Sequence, residues 1–384
     1  MSLVEASPWE VHVIGPQAGY GESIIVKTPQ GHWGVIDSYN TTPGQLETNP
    51  TVLWLKERGV NRLKFLALTH PHADHYWGIL DLFEAFEVEE YWRFGEQTPH
   101  LLWLLFEQAK PKAWQEHAEP DGGHLLQRLH TEVHGRVKRK QLVVRDVQLD
   151  NRVYTEAGTD SSSNFEIWGL APSSGQRQRY ADMLKSYFDF TGPYPVLKPL
   201  TVGQEQPDHN MISTAFLIRD GQSQIVLGGD VLKEGWHDCL QQSTQSSFTA
   251  TVVKASHHGS TNGYCAKLWE KFSSSAKPKT VITPYIRSKL PRKEGVQHIA
   301  SYSSQVYTTS IQAIVDPDLG PFRFQRSVLP RGSGRNLISE VLLKQAFKTS
   351  RRPSSDAYGC VSFLMSGNGP ADSASYPAGE LPVR

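Results

Sequence analysis

Hydrophobic positions in the first 70 residues recur with the spacing of β-strands. Residues 11–14 and 23–28 alternate or run β-branched, and Gly31 marks a turn into residues 33–37. Residues 62–69 are mostly apolar, which is typical of a strand that is buried on both faces. The pattern therefore predicts that a β-sheet begins the fold.

From residue 51 to residue 283, segments with helical spacing alternate with segments typical of strands. The predicted helices are residues 51–58, 80–86, 101–110, 125–137 and 178–188. The predicted strands are residues 141–149, 164–170, 213–219, 224–227, 250–254 and 280–283, with a hairpin turn at Asp220-Gly221. This alternation predicts a layered α/β fold with the strands inside.

A change in composition near residue 325 predicts two parts. Residues 1–325 are expected to form one domain, with a helical insertion at about residues 80–207, and we find no internal repeat. Residues 326–384 are expected to form a C-terminal extension with a helix at residues 336–348. After residue 366 the chain is rich in glycine, proline, serine and alanine, which predicts a mobile end.

The composition is that of a globular protein without a strong net charge. Hydrophobic residues are 38% of the 384 residues, and 39 basic residues balance 39 acidic ones. This balance excludes a histone-like nonspecific nucleic-acid binder. Three cysteines are too few for a disulfide scaffold, and the absence of a CxxC pair excludes zinc-finger and redox motifs. We find neither a secretion signal nor an apolar segment of membrane-spanning length, so we expect a cytoplasmic protein without membrane contact.

Candidate chemistry is concentrated directly after the predicted strand at residues 62–69. The next six residues read HPHADH, with three histidines and one aspartate. In an extended segment, residues two apart point to the same side, so His70 and His72 are placed to bind one ion. Asp74 and His75 follow within one turn and are placed to face a second ion.

Four side chains within six residues leave each ion short of ligands, so other parts of the chain must supply the rest. The segment DHN at residues 208–210 precedes one predicted strand, GGD at residues 228–230 follows the next, and SHHGS at residues 256–260 follows a third. Each segment lies where a predicted buried strand meets a loop, which is the usual place of functional side chains in sheet proteins.

In this order and spacing, the motifs resemble the metallo-β-lactamase superfamily of hydrolases. The resemblance rests on residues 23–37, the HxHxDH motif, His209, Gly229-Asp230 and residues 257–260. Within that superfamily, the segment KASHHGS from Lys254 is similar to the K-x-x-H-H-G-S motif of hydrolase domains in DNA-uptake competence proteins. The implied fold is an αββα sandwich, in which two mixed β-sheets are flanked by helices.

The resemblance also implies a centre of two divalent metal ions. The implied ligands are His70, His72 and His209 for one ion, Asp74, His75 and His258 for the other, and Asp230 as a bridge between them. These ligand types suit zinc, with manganese or iron as alternatives. Asp37 is expected to support the site from behind. His257 is expected in a similar supporting role, although the choice of ligand between His257 and His258 stays open.

The implied reaction is hydrolysis by a water molecule whose pKa the two ions lower. Asp74 and Asp230 are the catalytic candidates at the ions, and Lys254 is a third because its ammonium would meet phosphate oxygens. Ser260 and Thr261 are expected at the same oxygens. Trp77 is expected at the rim of the substrate pocket.

These observations predict a metal-dependent hydrolase, of the phosphodiesterase or nuclease type, acting on DNA, RNA or a nucleotide second messenger. One alternative is a hydrolase of carbonyl substrates such as lactones or thioesters, which an apolar, aromatic rim would favour. Another is a metal-bearing regulatory or binding subunit that docks a protein partner through the insertion or the C-terminal extension. The basic segment at residues 136–145 is either a nucleic-acid contact or a solvated helix end.

Overall fold

The computed structural model contains two β-sheets with helices on their outer faces. It describes residues 8–17, 19–95, 99–108, 122–159, 163–199, 208–245, 248–310, 358–366, 369–376 and 379–381. The strands are β1 (Trp9–Pro16), β2 (Ser23–Lys27), β3 (Trp33–Ile36), β4 (Arg62–Leu68), β5 (Glu87–Phe94), β6 (Val143–Val147), β7 (Arg152–Ala157), β8 (Asn164–Ala171), β9 (Phe188–Asp189), β10 (Val196–Leu197), β11 (Ala215–Asp220), β12 (Ser223–Leu227), β13 (Val252–Lys254), β14 (Lys279–Ile282), β15 (Gln305–Thr308), β16 (Tyr358–Ser366), β17 (Gly369–Tyr376) and β18 (Gly379–Leu381). The helices are α1 (Pro50–Glu57), α2 (Ala73–Tyr76), α3 (Ile79–Ala85), α4 (Pro99–Gln108), α5 (Gly122–Lys138), α6 (Ser174–Ser186), α7 (Lys233–Gln242), α8 (Ala266–Phe272) and α9 (Lys293–Ser301).

Local signals in the sequence explain where two of the helices begin. Pro50 occupies the first turn of α1, and the Asn49 side chain accepts two backbone hydrogen bonds there. Ser173 and Gln176 form a capping box, so α6 begins at residue 174 and not at the predicted residue 178. Among the described residues, no helix has both the length and the apolar character that crossing a membrane requires.

Both sheets are mixed. The strand order is β17-β16-β1-β2-β3-β4-β5-β6 in the first sheet and β18-β15-β14-β13-β12-β11-β8-β7 in the second. In the first sheet β3 to β6 run parallel, and the pairs from β17 to β3 are antiparallel. In the second sheet β12 to β15 run parallel, and the other pairs are antiparallel. β9 and β10 form a separate small hairpin.

The two sheets pack face to face around a shared apolar core. Trp9 and Phe65 of the first sheet and Phe165 and Phe216 of the second are buried there. The outer face of the first sheet packs against α1 and α3 to α6, and the outer face of the second packs against α7 to α9. The αββα sandwich that the sequence predicts is therefore confirmed.

The region at about residues 80–207, expected as a helical insertion, contributes strands to both sheets. α3, α4 and α5 are helical as predicted, but β5 and β6 extend the parallel part of the first sheet. β7 and β8 form the edge of the second sheet. The sequence pattern does not indicate β5, because Glu87, Glu89 and Glu90 interrupt its apolar positions. The region is therefore part of the sandwich.

The C-terminal segment also belongs to the sandwich. β16 lies between β1 and β17 in the first sheet, and β18 pairs with β15 in the second. Val361, Phe363 and Met365 of β16 are buried in the core between the sheets. This arrangement differs from the predicted separate extension with a mobile end, because the segment supplies backbone pairing to core strands. The helix predicted at residues 336–348 lies outside the described residues.

Candidate metal centre

Loops that follow parallel strands converge at one end of the sandwich. His70 follows β4, Asp230 follows β12 and His258 follows β13. β12 and β13 are parallel neighbours, so their carboxyl ends meet at the same edge of the second sheet. The backbone N–H of Thr214 donates a hydrogen bond of 3.0 Å to the carbonyl of Thr69. This bond joins the loop after β4 to the second sheet.

The HPHADH segment changes from an extended strand end into the short helix α2. His72 precedes the helix with extended dihedral angles, φ −96° and ψ 147°, and its carbonyl accepts a hydrogen bond from the N–H of His75. His70 Nε2 lies 2.9 Å from His72 Nδ1. The segment thus presents one pair of histidines from extended backbone, and Asp74 and His75 from a helical turn.

Three potential ligands form a first cluster: His70, His72 and Asp230 each place one donor atom within 4.8 Å of the others. His70 Nε2 is 3.8 Å from Asp230 Oδ2. The ring of His209 lies beside that of His72, with 5.6 Å between centroids, and the Tyr180 hydroxyl is 2.7 Å from His209 Nδ1. The structure therefore places His209 next to the first cluster and not among its three members.

A second cluster contains Asp74, His75, His258 and, again, Asp230. His258 Nε2 lies 3.0 Å from Asp74 Oδ2 and 3.4 Å from Asp230 Oδ2. His75 Nε2 lies 3.6 Å from Asp230 Oδ1. All four side chains are buried. Asp230 is thus common to both clusters, which is the position that a bridging ligand requires.

The Gly228-Gly229 turn allows Asp230 to lie between the clusters. Gly229 has a φ of +50°, and a Cβ at this position would lie 2.4 Å from the carbonyl oxygen of Thr214. Only glycine fits there without displacing backbone. The Asp230 N–H donates a hydrogen bond of 2.9 Å to Ser213 Oγ, which fixes the end of the turn.

His257 and His258 have different environments, although both adopt left-handed backbone with φ 47° and 55°. The His258 Nδ1–H donates a hydrogen bond of 2.9 Å to the carbonyl of Thr283, so Nε2 faces the second cluster. His257 Nδ1 instead lies 2.9 Å from Asn262 Oδ1, and its Nε2 is 4.0 Å from Asp230 Oδ2. The geometry favours His258 as the ligand and His257 in a supporting role.

Asp37 lies directly behind the second cluster. It accepts hydrogen bonds from Thr69 N at 2.8 Å, from Thr69 Oγ1 at 2.7 Å and from His75 Nδ1 at 2.7 Å. Burial raises the pKa of Asp37 above its ordinary value, although the neighbouring His75 opposes that shift. The bond to Nδ1 leaves Nε2 of His75 facing Asp230, which is how a supporting carboxylate orients a ligand histidine.

Burial and carboxylates shift the pKa values of the site histidines in opposite directions. Burial lowers the pKa of His70 and of His209 well below the ordinary value. Burial also lowers the pKa of His258, but the carboxylates of Asp230 and Asp74 together outweigh it, and the pKa rises to about 10. Burial raises the pKa of Asp230, whereas His258 and His75 together bring it well below the ordinary value. In the second cluster, cation binding must therefore displace protons.

The donor atoms of the two clusters suit divalent metal ions. His75 Nε2 and Asp230 Oδ1 are buried and have no hydrogen-bond partner among the described residues. Buried polar atoms without partners are costly, and a bound cation would satisfy both atoms. Imidazole nitrogens and carboxylate oxygens are ligands of zinc, manganese and iron. The residues present therefore fit the group that the sequence motifs imply.

Lys254 does not occupy the substrate-facing position expected from the sequence. Its side chain is fully buried, and its ammonium lies 2.5 Å from Glu22 Oε2. It also donates a hydrogen bond of 3.2 Å to the carbonyl of Gly229. Because all of these contacts lie within the protein, Lys254 is placed behind the ligand loops and not at a phosphate.

The other expected substrate residues lie in loops near the clusters. Ser260 is buried and donates a hydrogen bond to the Asn262 side chain, whereas Thr261 is exposed. Trp77 is half-buried, and its ring centroid lies 6.5 Å from that of Tyr20. Tyr20 in turn stacks on Tyr285 at 4.8 Å. Trp77, Tyr20 and Tyr285 thus form a series of neighbouring aromatic rings.

Sequence reasoning did not identify three residues that bond the centre. The Glu22 carboxylate pairs with Lys254, the Tyr180 hydroxyl lies 2.7 Å from His209 Nδ1, and the backbone carbonyl of Thr283 accepts from His258. They are ordinary residue types in segments without a motif, and only the tertiary structure brings them to the centre.

Comparisons with known proteins gave one family match and several similar solved structures. A family model described as the Metallo-beta-lactamase superfamily matches residues 17–264. Tm1679, a metal-dependent hydrolase of the beta-lactamase superfamily, is similar in structure with a TM-score of 0.38 and 12% identity, covering 79% of this chain and 96% of its own. A diphosphatase from the PhnP family has a TM-score of 0.33 and 11% sequence identity, and the match covers 72% of this chain and 85% of the diphosphatase. Zn(2+)-bound PqqB from Methylobacterium extorquens has a TM-score of 0.27 and 8% sequence identity, and the match covers 71% of this chain and 72% of PqqB. A search of curated proteins gave no match.

Proposed function

The chain belongs to the metallo-β-lactamase superfamily, whose members are metal-dependent hydrolases, and we propose that this protein hydrolyses phosphodiesters at a two-metal centre. The observation that supports this proposal most directly is the sharing of Asp230 between two clusters of buried donors. Centres with two adjacent metal ions are characteristic of phosphatases and nucleases, because both the attacking and the leaving oxygen need stabilisation. The KASHHGS segment, similar to that of competence-type hydrolase domains, favours the same substrate class.

The ligand histidines are oriented before any ion binds. When bound, divalent ions in such a centre supply Lewis acidity and lower the pKa of water. Asp37 accepts from the Nδ1–H of His75, and the Thr283 carbonyl accepts from that of His258. The Nε2 atoms of both rings thereby face Asp230, and a bound cation would displace the protons that they carry. This arrangement keeps the second cluster ordered and reduces the rearrangement that binding requires.

The aromatic rim supports a second candidate, hydrolysis of a carbonyl substrate such as a lactone or a thioester. Tyr20, Trp77 and Tyr285 form a continuous series of rings, and the Tyr285 ring is 5.1 Å from that of His258. Such a rim accommodates an apolar acyl group. It equally accommodates the base of a nucleotide, since stacking on an aromatic ring contributes about 1–3 kcal/mol per base. The two candidates are therefore separated by experiment.

The first prediction tests the reaction. The full-length protein is expected to hydrolyse bis-p-nitrophenyl phosphate when zinc or manganese is added, measured as release of p-nitrophenolate. His72→Ala and Asp230→Asn are each expected to lower turnover by more than about 100-fold. Loss of a residue that only hydrogen-bonds a metal ligand already lowers activity by about 10–100-fold, and loss of a ligand itself should cost more. His134→Ala and Asp182→Asn, which change exposed residues on α5 and α6, are the matched controls and are expected to keep full activity.

Two outcomes would overturn the assignment in different ways. Activity on lactones or thioesters without activity on any phosphodiester would replace the substrate class and keep the metal centre. Absence of hydrolysis of every ester, with metal bound, would favour the regulatory or binding subunit.

A further inference from the structure

A buried ion pair connects the loops that carry the ligands. The Lys254 ammonium and the Glu22 carboxylate are 2.5 Å apart, and both side chains are fully buried. We propose that Lys254 and Glu22 act as a positioning pair that holds Asp230 and His75 in their metal-binding arrangement, a role that depends on the metal centre proposed above. Neither residue touches substrate in this role, so both act through the ligands.

Lys254 holds the turn that presents Asp230. Its ammonium donates to the carbonyl of Gly229 at 3.2 Å, and the same carbonyl accepts the N–H of His257 at 3.0 Å. The Gly228 N–H donates in return to the Lys254 carbonyl at 3.1 Å. The end of β13 and the turn after β12 are thus bonded to each other in both directions. Loss of the ammonium would remove one of the two hydrogen bonds that hold the residue directly before Asp230.

Glu22 holds the other side of the second cluster. Its Oε2 accepts from Thr283 Oγ1 at 2.6 Å, and the Thr283 carbonyl is the acceptor that orients His258. The Glu22 N–H donates to the carbonyl of Asp74 at 3.0 Å, and its Oε1 lies 3.9 Å from His75 Nδ1. Glu22 therefore contacts the surroundings of three ligands of one cluster. The ion pair with Lys254 joins this group to the turn of Asp230.

The charges of the pair matter because the pair and the neighbouring Asp37 are all fully buried. Asp37 and Glu22 both lie near His75 Nδ1, at 2.7 and 3.9 Å, and both are fully buried. Lys254 offsets one of these two negative charges. A buried ion pair gives little net stability, but removal of one partner leaves an uncompensated buried charge that the neighbouring loops must move to solvate. The expected result of breaking the pair is therefore displaced ligands.

The test compares zinc binding by the metal-free full-length chain with that of Lys254→Gln, Glu22→Gln and the double variant. Titration calorimetry with zinc chloride gives affinity and stoichiometry, and the visible spectrum of the cobalt-loaded protein reports ligand geometry. Each single substitution is expected to weaken zinc binding by about 10–100-fold and to change the cobalt spectrum. The double variant is expected to lose no more than either single variant, because the two residues act as one unit. Lys267→Gln and Glu84→Gln, at exposed positions, are the controls.

Three results would overturn the proposal. A lower melting temperature with unchanged zinc affinity and cobalt spectrum would show a purely structural role. Weaker binding in Glu22→Gln but stronger binding in Lys254→Gln would show that only the charge of each residue matters. Additive losses in the double variant would show that the two residues act separately. If Lys254→Gln does not fold, the zinc affinities of Glu22→Gln and of the double variant test the proposal instead. A wild-type chain that binds no zinc would overturn the proposed metal centre itself.

Discussion

Single residues of the centre adopt backbone conformations that few residue types accept. Asp37 and His258, like His257, have positive φ angles of 58°, 55° and 47°. Left-handed backbone costs about 1–2 kcal/mol for a residue with a Cβ. Side-chain hydrogen bonds offset this cost, since Asp37 accepts three and His258 donates to Thr283. Strain of this kind concentrates at functional sites, and here it coincides with the loops that carry ligands.

At this scale, Gly229→Ala is expected to destabilise the protein far more than Gly31→Ala. Both glycines have positive φ, but a Cβ meets no atom within 4 Å at Gly31 and meets the Thr214 carbonyl at 2.4 Å at Gly229. Gly31→Ala should cost about 1 kcal/mol, the cost of left-handed backbone alone, and Gly229→Ala about 3 kcal/mol or more. Urea denaturation of the two variants measures the difference. Equal costs would mean that the turn can widen freely.

Individual elements bring charged side chains into pairs that stabilise the sheets. On β1, Glu10 Oε1 lies 2.9 Å from Lys27 Nζ of β2, and Glu10 Oε2 lies 3.0 Å from His12 Nε2. His12 Nδ1 lies 2.8 Å from Ser362 Oγ of β16. Burial raises the pKa of Glu10, but the hydrogen bonds and charges of His12 and Lys27 outweigh it and lower the pKa from 4.5 to about 2. The Glu10 carboxylate thus connects β1 to β2, and the His12 ring extends the connection to β16.

This cluster predicts a pH dependence of stability. The carboxylate has a lower pKa in the folded state than its ordinary value of 4.5, so its contribution is complete above pH 4.5 and is lost as the pH falls towards about 2. Glu10→Gln should lower the free energy of unfolding by about 1–3 kcal/mol at neutral pH, a range that allows for partial exposure, and by almost nothing near pH 2. Urea denaturation between pH 2 and 7 tests this, with the exposed Glu84→Gln as the control. A difference independent of pH would contradict it.

The whole molecule is a sandwich whose sheets are completed by distant parts of the chain. β16, near the C-terminal end, lies between β1 and β17, so the first sheet needs the end of the sequence to cover β1. Val361, Phe363 and Met365 bury their side chains between the sheets. Each such side chain contributes about 1.5–3 kcal/mol on burial. Their sum is comparable with the roughly 5–15 kcal/mol by which proteins are stable.

A chain ending at residue 357 is therefore expected not to fold. It should be insoluble or should lack a cooperative thermal transition, because the edge of β1 and the apolar core between the sheets would be open to solvent. Of the described elements, a chain ending at residue 378 lacks β18 alone, which pairs with β15 over three residues, and it is expected to fold with a small loss of melting temperature. Circular dichroism on heating distinguishes the two. A truncation at 357 that melts like the full chain would show that β16 is dispensable.

The sequence by itself determined the fold class and the set of candidate ligands. The HxHxDH motif places donors within six residues, and the position of each motif at the end of an apolar strand predicts that the loops meet at one edge of a sheet. Such signals are local, because they depend on residue type and on spacing along the chain. The alternation of strands and helices predicts a layered α/β fold, and the resemblance of the motifs implies that this fold is an αββα sandwich.

Only the tertiary structure decided which residues other than Asp37 and His257 support the metal centre. It placed Lys254 on Glu22 and not at a substrate, and Tyr180 on His209. It also placed the C-terminal strands in both sheets, where the composition predicts a mobile end. The physical reason is that each of these contacts joins segments far apart in the chain. Whether a buried lysine such as Lys254 pairs with a carboxylate, or a strand such as β16 pairs with another strand, depends on the packing of the whole sandwich. Such pairing leaves no periodic pattern in either segment.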